Sequence, residues 1–255
     1  MSLLYAVTVP AAVAWLAWRF QALDRSGALA AALVGGSILI GQDWPGGVVL
    51  LAFFVPTTAI SRLLPDATHR FDAKGNRRDA WQVLANGGAA AVGAILWQGR
   101  IEGLTVATAA LAAAAADTWA TSLGSGSVTP PRSIATGQVV PSGTSGGVSW
   151  RGSVGGCAGA LVVAGAGALV SQNIVVGGIA LVSGIAGMLL DSLLGATLQG
   201  HFFCPRCQRP TERRTHHCGA DTVLTGGLAW LTNDGVNGLA TAAAALAAAL
   251  ATSVA

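Results

Sequence analysis

The sequence predicts an all-α fold, a polytopic transmembrane helical bundle of about eight spans, with six to nine crossings compatible. Three observations predict it. Hydrophobic residues make up 53% of the 255 residues and charged residues only 10%, against about 25% charged in a soluble domain, so charge is too scarce to cover a water-facing surface. The apolar residues fall into stretches about as long as a bilayer core requires. The positive residues gather in alternate joints between those stretches, the asymmetry that orients membrane proteins. A single integral membrane domain over residues 1–255 is expected, with a Cys/His loop at 199–226 inside it.

The first stretch, 3–18, has no positive residue before it and no small-residue cleavage site after it, so it reads as a retained span. Stretches 27–41 and 47–61 fall short of ~17 residues and flank Asp43-Trp44-Pro45-Gly46, which fits a tilted pair or a re-entrant hairpin. Further spans are expected at 83–97, 104–123, 152–171, 174–198 and 236–254, with Ala- and Gly-rich faces that permit close helix packing. With eight spans, one side of the membrane receives Arg19, Arg25, Arg62, Arg70, Lys74, Arg77, Arg78, Arg132, Arg151, Arg206, Arg209, Arg213 and Arg214, and the other only Arg100. The positive-inside rule then places both termini outside and the loops 62–82, 124–151 and 199–235 in the cytoplasm. The first of these loops is basic and polar from His69 to Asp79.

Two carboxylates lie within apolar spans, Asp117 after an alanine run and Asp191 after Met188-Leu189-Leu190. An ionisable group at such depth costs a few kcal/mol and marks a functional site by default; an interhelical hydrogen bond is the plainer alternative. At helical spacing Gly184, Gly187, Asp191 and Gly195 form one stripe, and Ala113, Asp117, Thr121 and Gly124 another. Both acids fall near the cytoplasmic end of their spans, and two at matched depth favour a shared metal. Asn86 opens the fourth span, and Asn233, Asp234 and Asn237 precede the last. Asn and Asp are ordinary helix caps, but three in five positions exceed what a cap needs, and Asn233 and Asn237 share a face at i, i+4.

The second loop carries Pro141-Ser142-Gly143-Thr144-Ser145-Gly146-Gly147-Val148-Ser149, leading into a helix. Backbone N–H groups of such a loop, beside a helix N-terminus, suit an anion, so Gly143, Thr144, Ser145, Gly146 and Gly147 are candidates for holding phosphate, with Arg132 and Arg151 close in sequence. A Walker A loop is excluded, because Lys74 is the chain's single lysine. In the third loop, Cys204-Pro205-Arg206-Cys207 and His216-His217-Cys218 have metal-ligand character. Cys204, Cys207, His217 and Cys218 would fill a tetrahedral zinc site as a structural clasp, in a compartment where disulfides are rare.

These segments together resemble the domain-of-unknown-function family 92 of integral membrane proteins, in its prokaryotic branch, the family of plant phytyl-phosphate kinase and animal transmembrane protein 19. The resemblance is carried, in order, by Arg25-Ser26-Gly27-Ala28-Leu29, Gln82-Val83-Leu84-Ala85-Asn86-Gly87-Gly88, Ala116-Asp117-Thr118-Trp119-Ala120-Thr121, Gly143-Thr144-Ser145-Gly146-Gly147-Val148-Ser149, Asp191-Ser192-Leu193-Leu194-Gly195-Ala196-Thr197-Leu198-Gln199, and Asn233-Asp234 through Asn237. One departure is Ser122, where family members commonly carry Glu. The resemblance implies transfer of a phosphoryl group from a nucleoside triphosphate, CTP or ATP, to an isoprenoid (phytyl or prenyl) monophosphate in a bacterial inner membrane. Asp117, Asp191 and Asp234 would hold Mg2+, Asn86, Asn233 and Asn237 would complete its shell or orient phosphates, and the 143–147 loop would hold the donor's phosphates. The lipid bilayer, the isoprenoid phosphate and the nucleotide are the expected partners, and no nucleic acid is expected. Three rivals stand beside this reading: a transporter of a small solute or lipid, whose polar elements would sit at the bilayer midplane; a lipid-phosphate cytidylyltransferase, which would release pyrophosphate; and a structural scaffold, which leaves the acids unexplained.

Overall fold

The apolar stretches are helical because Ala and Leu have high helix propensity and because lipid leaves backbone groups no water to bond. The computed structural model describes residues 3–64 and 77–254; His69, Arg70 and Lys74 of the first predicted loop lie outside the described residues. Among the described residues the helices are α1 (Leu3–Arg19), α2 (Arg25–Leu63), α3 (Ala80–Leu96), α4 (Ile101–Gly124), α5 (Trp150–Ser171), α6 (Ile174–Thr197) and α7 (Asn233–Val254). Strands β1 (Arg132–Ser133) and β2 (Gly147–Val148) pair between α4 and α5, while β3 (His201–Cys204) pairs with both β4 (Arg209–Thr211) and β5 (Val223–Gly226) between α6 and α7, all antiparallel. Four helices, α2, α5, α6 and α7, are long and apolar enough to cross a membrane, and α1 and α3 are shorter apolar helices.

α2 joins the two short predicted stretches, and it folds back on itself. Asp43 breaks the helix with φ 54° and ψ −151°. A Cβ built on Gly46 would stand 2.8 Å from both Gln42 Cβ and Ile38 Cγ2, and one on Gly35 would stand 3.5 Å from Leu50 Cδ2. In an unbroken helix residues 35 and 50 would be about 22 Å apart, so the limbs 25–42 and 44–63 form an antiparallel hairpin. Asp43 Oδ1 accepts a 2.7 Å bond from the Trp44 amide, and Pro45 falls in the first turn of the second limb, where a missing N–H costs nothing. Each limb is about 27–30 Å long, longer than the apolar stretch that predicts it.

α4 is the axis of the bundle and packs against α2, α3, α5, α6 and α7. Its residues from Gly103 to Ala116 are all buried, the pattern of a helix surrounded by protein on every side. The outer helices face outward with large apolar side chains, among them Leu29, Leu33, Leu169, Val182 and Leu246. The described arginines partition as the sequence predicts: Arg100 stands at the α3–α4 joint, and the others at the opposite end with the β1–β2 and β3–β5 loops. At that end residues 22–24 and 78 exchange backbone bonds (Asp24 N to Arg78 O, 3.1 Å; Arg78 N to Ala22 O, 3.1 Å), which ties the start of α2 to the start of α3.

Candidate functional site

The two acids of the apolar helices α4 and α6 meet. On α6, Gly184 and Gly187 lack side chains where Cβ atoms would come within 2.7 Å of Ala112 and Ala113 on α4. Asp191 follows Gly187 by one helical turn and Asp117 follows Ala113 by one turn, so the close approach carries both acids to one level. Their carboxyl groups lie within hydrogen-bond reach of each other, and Glu212 is near enough to act on Asp191 through its charge. All three line a cavity of about 650 Å³ at the loop end of the bundle.

Asn86 from α3 and Asn233 and Asn237 from the first turns of α7 also line this cavity, so the i, i+4 pair presents one face to it. Three buried oxygens in the lining have no hydrogen-bond partner among the described residues: Asp191 Oδ2, Gln199 Oε1 and Asn237 Oδ1. Unsatisfied buried acceptors are costly. Clustered buried acceptors of this kind have the chemistry of an oxygen-ligand cation site.

The glycine loop forms one wall. Two turns fold it (Thr144 N to Pro141 O, 3.1 Å; Gly147 N to Thr144 O, 3.0 Å), and β1–β2 pairing closes its base. Gly146 has φ +76°, and a Cβ there would fall 2.4 Å from Ala196 Cβ and 2.6 Å from Ser192 O, so the loop lies flat on α6 only because this residue is glycine. Ser145 Oγ donates to Glu212, and Gln199 Nε2 donates to Ser145 Oγ (3.0 Å) and Glu212 Oε1 (2.8 Å). Ser149 caps α5, accepting from Gly152 N at 3.1 Å, and aims that helix N-terminus at the cavity.

Several predicted residues stand elsewhere. Arg132 and Arg151 are exposed and outside the lining; their guanidinium groups donate to Gly137 O (2.9 Å) and Gly126 O (2.8 Å) and fasten the loop. Asp234, one position from Asn233, is also outside the lining, because neighbouring helical residues point about 100° apart. Among the described residues, the cations that line the cavity are Arg62 and Arg78, joined by Gln82, Gln199 and Glu212, none of which sequence reasoning assigned to the site. Arg78 precedes the Asp79 cap of α3, a signal that placed it at a helix start without showing what it faced.

The thiol cluster forms with one change of ligand. Cys204, Cys207, His216 and Cys218 place their ligand atoms within 4.8 Å of one another, whereas His217 is exposed. The turn from His216 to Gly219 (Gly219 N to His216 O, 2.8 Å) buries the His216 ring against Cys218 (Nδ1 to Sγ, 3.2 Å). That hydrogen bond draws the Cys218 thiol down to about 6. Cys207, hydrogen-bonded to Cys218, is pushed up to about 11.

Residues 8–245 match the family model of the integral membrane protein DUF92. The chain belongs to that family. Its DUF92 relatives include Protein PGR of Arabidopsis thaliana, 27% identical over 92% of this chain and 91% of that protein. An uncharacterized membrane protein of Methanocaldococcus jannaschii is 31% identical over 70% of this chain and 76% of its own length. No solved structure matches. In this DUF92 chain Ser122 is buried at 2% exposure and lies outside the cavity lining; the third carboxylate there is Glu212, from the loop between α6 and α7.

Proposed function

We propose that this protein is a membrane-embedded phosphotransferase that moves a phosphoryl group from a nucleoside triphosphate to an isoprenoid monophosphate, giving the diphosphate. One observation carries the reading: Asp117 and Asp191, from two separate spans, share a cavity with a glycine loop and three buried oxygens that have no hydrogen-bond partner among the described residues. The substrate's own chemistry fits this lining. A phosphate monoester carries about −1.5 to −2 charge at pH 7, so its oxygen is already a nucleophile and no general base is required. The described lining holds neither His nor Cys. What such a transfer requires is positioning and charge stabilisation.

In the proposed reaction an oxygen of the lipid phosphate bonds to the γ-phosphorus, the bond from that phosphorus to the β–γ bridging oxygen breaks, and the nucleoside diphosphate leaves with the electron pair. Arg62 and Arg78 offset the phosphates' charge, in place of Arg132 and Arg151. The 143–147 loop and the α5 N-terminus face the donor phosphates, and Asn86 and Asn233 orient them. Asp117 and Asp191 would hold Mg2+, with the Gln199 and Asn237 oxygens beside them. When bound, the ion would neutralise phosphate charge in the transition state. In the membrane the bundle makes eight crossings, counting both limbs of α2, with both termini outside and the arginine-rich cavity end at the cytoplasmic face of a bacterial inner membrane. The isoprenoid tail lies along Ala- and Gly-rich helix faces with its phosphate at headgroup level.

The test is direct. Purified protein with Mg2+, CTP or ATP and a series of prenyl phosphates should yield prenyl diphosphate. Release of pyrophosphate would instead mark a cytidylyltransferase, solute counterflow in proteoliposomes a transporter, and no product across several chain lengths would overturn the proposal.

A further inference from the structure

We propose that Cys204, Cys207, His216 and Cys218 bind one Zn2+ ion as a closed structural site, and that this metal holds the segment bearing Glu212 in place in the cavity. The spacing of the four ligand atoms, all within 4.8 Å of one another, suits a tetrahedral site. With Zn–S bonds near 2.3 Å, the sulfurs of a tetrahedral site stand about 3.8 Å apart; Cys204 Sγ and Cys218 Sγ are 3.7 Å apart, far beyond the ~2.05 Å of a disulfide. The fourth ligand is nitrogen from His216, 3.2 Å from Cys218 Sγ. Cys204 and His216 are buried and the other two half-buried, with all four ligand atoms gathered at one point.

The surroundings suit the charge. Three thiolates and one Zn2+ carry a net −1, and the Cys207 amide points at Cys204 Sγ (3.4 Å) while Arg206 donates to the Cys218 carbonyl (3.2 Å). Partners of this kind around the ligands orient them and favour the thiolate. With all four positions taken by protein, no coordination site remains for substrate, which makes the site structural.

The cluster also has a mechanical consequence. Its ligands sit on β3, in the turn after it, and in the turn after Thr215, so a bound ion ties both ends of the segment 204–218 together. β4 lies inside that segment and ends at Thr211, and Glu212 follows directly, bonded to Ser145 and Gln199 in the cavity wall. Without the ion, this segment is held by three short strands and by the Glu212 bonds to Ser145 and Gln199, and small sheets of that size are marginal on their own.

The experiment is metal analysis with hydrogen exchange on the full-length protein, purified in detergent under reducing conditions. About one zinc per chain is expected, retained by His217→Ala and lost by His216→Ala and by Cys207→Ser. Where those variants fail to fold, wild-type protein stripped with a chelator replaces them. Stripping should raise exchange across 201–226, including the segment around Glu212, and restoring Zn2+ should reverse it, while α4 and α6 stay protected. Absence of zinc even after titration, loss through His217→Ala with retention in His216→Ala, or unchanged exchange around Glu212 on stripping would each overturn the proposal. None of these readouts depends on phosphoryl transfer, so failure of the proposed activity leaves the zinc site untouched, and the reverse.

Discussion

Asp191 keeps 8% of its surface exposed, and its Oδ2 has no partner among the described residues. A carboxylate in that setting costs stability unless a cation or donor meets it. Asp191→Asn has the same shape without the charge. Turnover is expected to fall by about a hundredfold or more, roughly 2.7 kcal/mol in the barrier, while thermal unfolding in detergent stays level or moves upward. Joint loss of activity and stability would mean the acid is structural. A second comparison separates the cations the sequence favours from those the fold delivers. Arg78→Ala should raise KM for the nucleotide or the lipid phosphate about tenfold, near 1.4 kcal/mol of binding, whereas Arg151→Ala, whose guanidinium holds Gly126 O, should leave KM within about twofold. Steady-state kinetics in both substrates decide between them.

Among the elements, the glycine loop and the α4–α6 contact set the cavity's shape. Gly146→Ala adds both a strained φ and a methyl group 2.6 Å from Ser192 O, so the loop must lift from α6. About 1–2 kcal/mol of strain should appear as a severalfold to thirtyfold rise in nucleotide KM with the helices intact by circular dichroism. Gly137→Ala, where φ is +69° but nothing lies within 4 Å, should cost a little stability and leave KM unchanged; equal effects at both positions would detach the loop from nucleotide binding. On the helices, Gly184→Leu would force a side chain into Ala112 and destabilise the bundle by about 1–3 kcal/mol, a shift that thermal unfolding can measure, and would part Asp191 from Asp117.

Across the whole molecule, charge separates the two ends of the bundle and predicts the orientation. A cysteine placed at Ser253, in the last turn of α7 at the end away from the cavity, should react with a membrane-impermeant maleimide in intact cells. One at Ser142, in the exposed edge of the glycine loop, should react only after lysis. The opposite pattern would turn the protein over and put the cavity outside the cell.

Much of this was legible before folding because it depends on local period and composition. Apolar stretches determined the helices to within a few residues, and the one-turn spacing of Gly187 to Asp191 and Ala113 to Asp117 placed both acids on close-packing faces. Only tertiary structure decided the rest. Glu212 reaches Ser145 across 67 residues, a pairing that no local pattern encodes. Arg132 and Arg151 are close to the glycine loop along the chain, yet their side chains are used up by nearby carbonyls. His216 and His217 are adjacent and chemically identical, and a single turn ending at Gly219 chose which ring joins the thiols. Periodicity states which way a side chain points along its own helix or strand; what stands opposite depends on how distant segments pack.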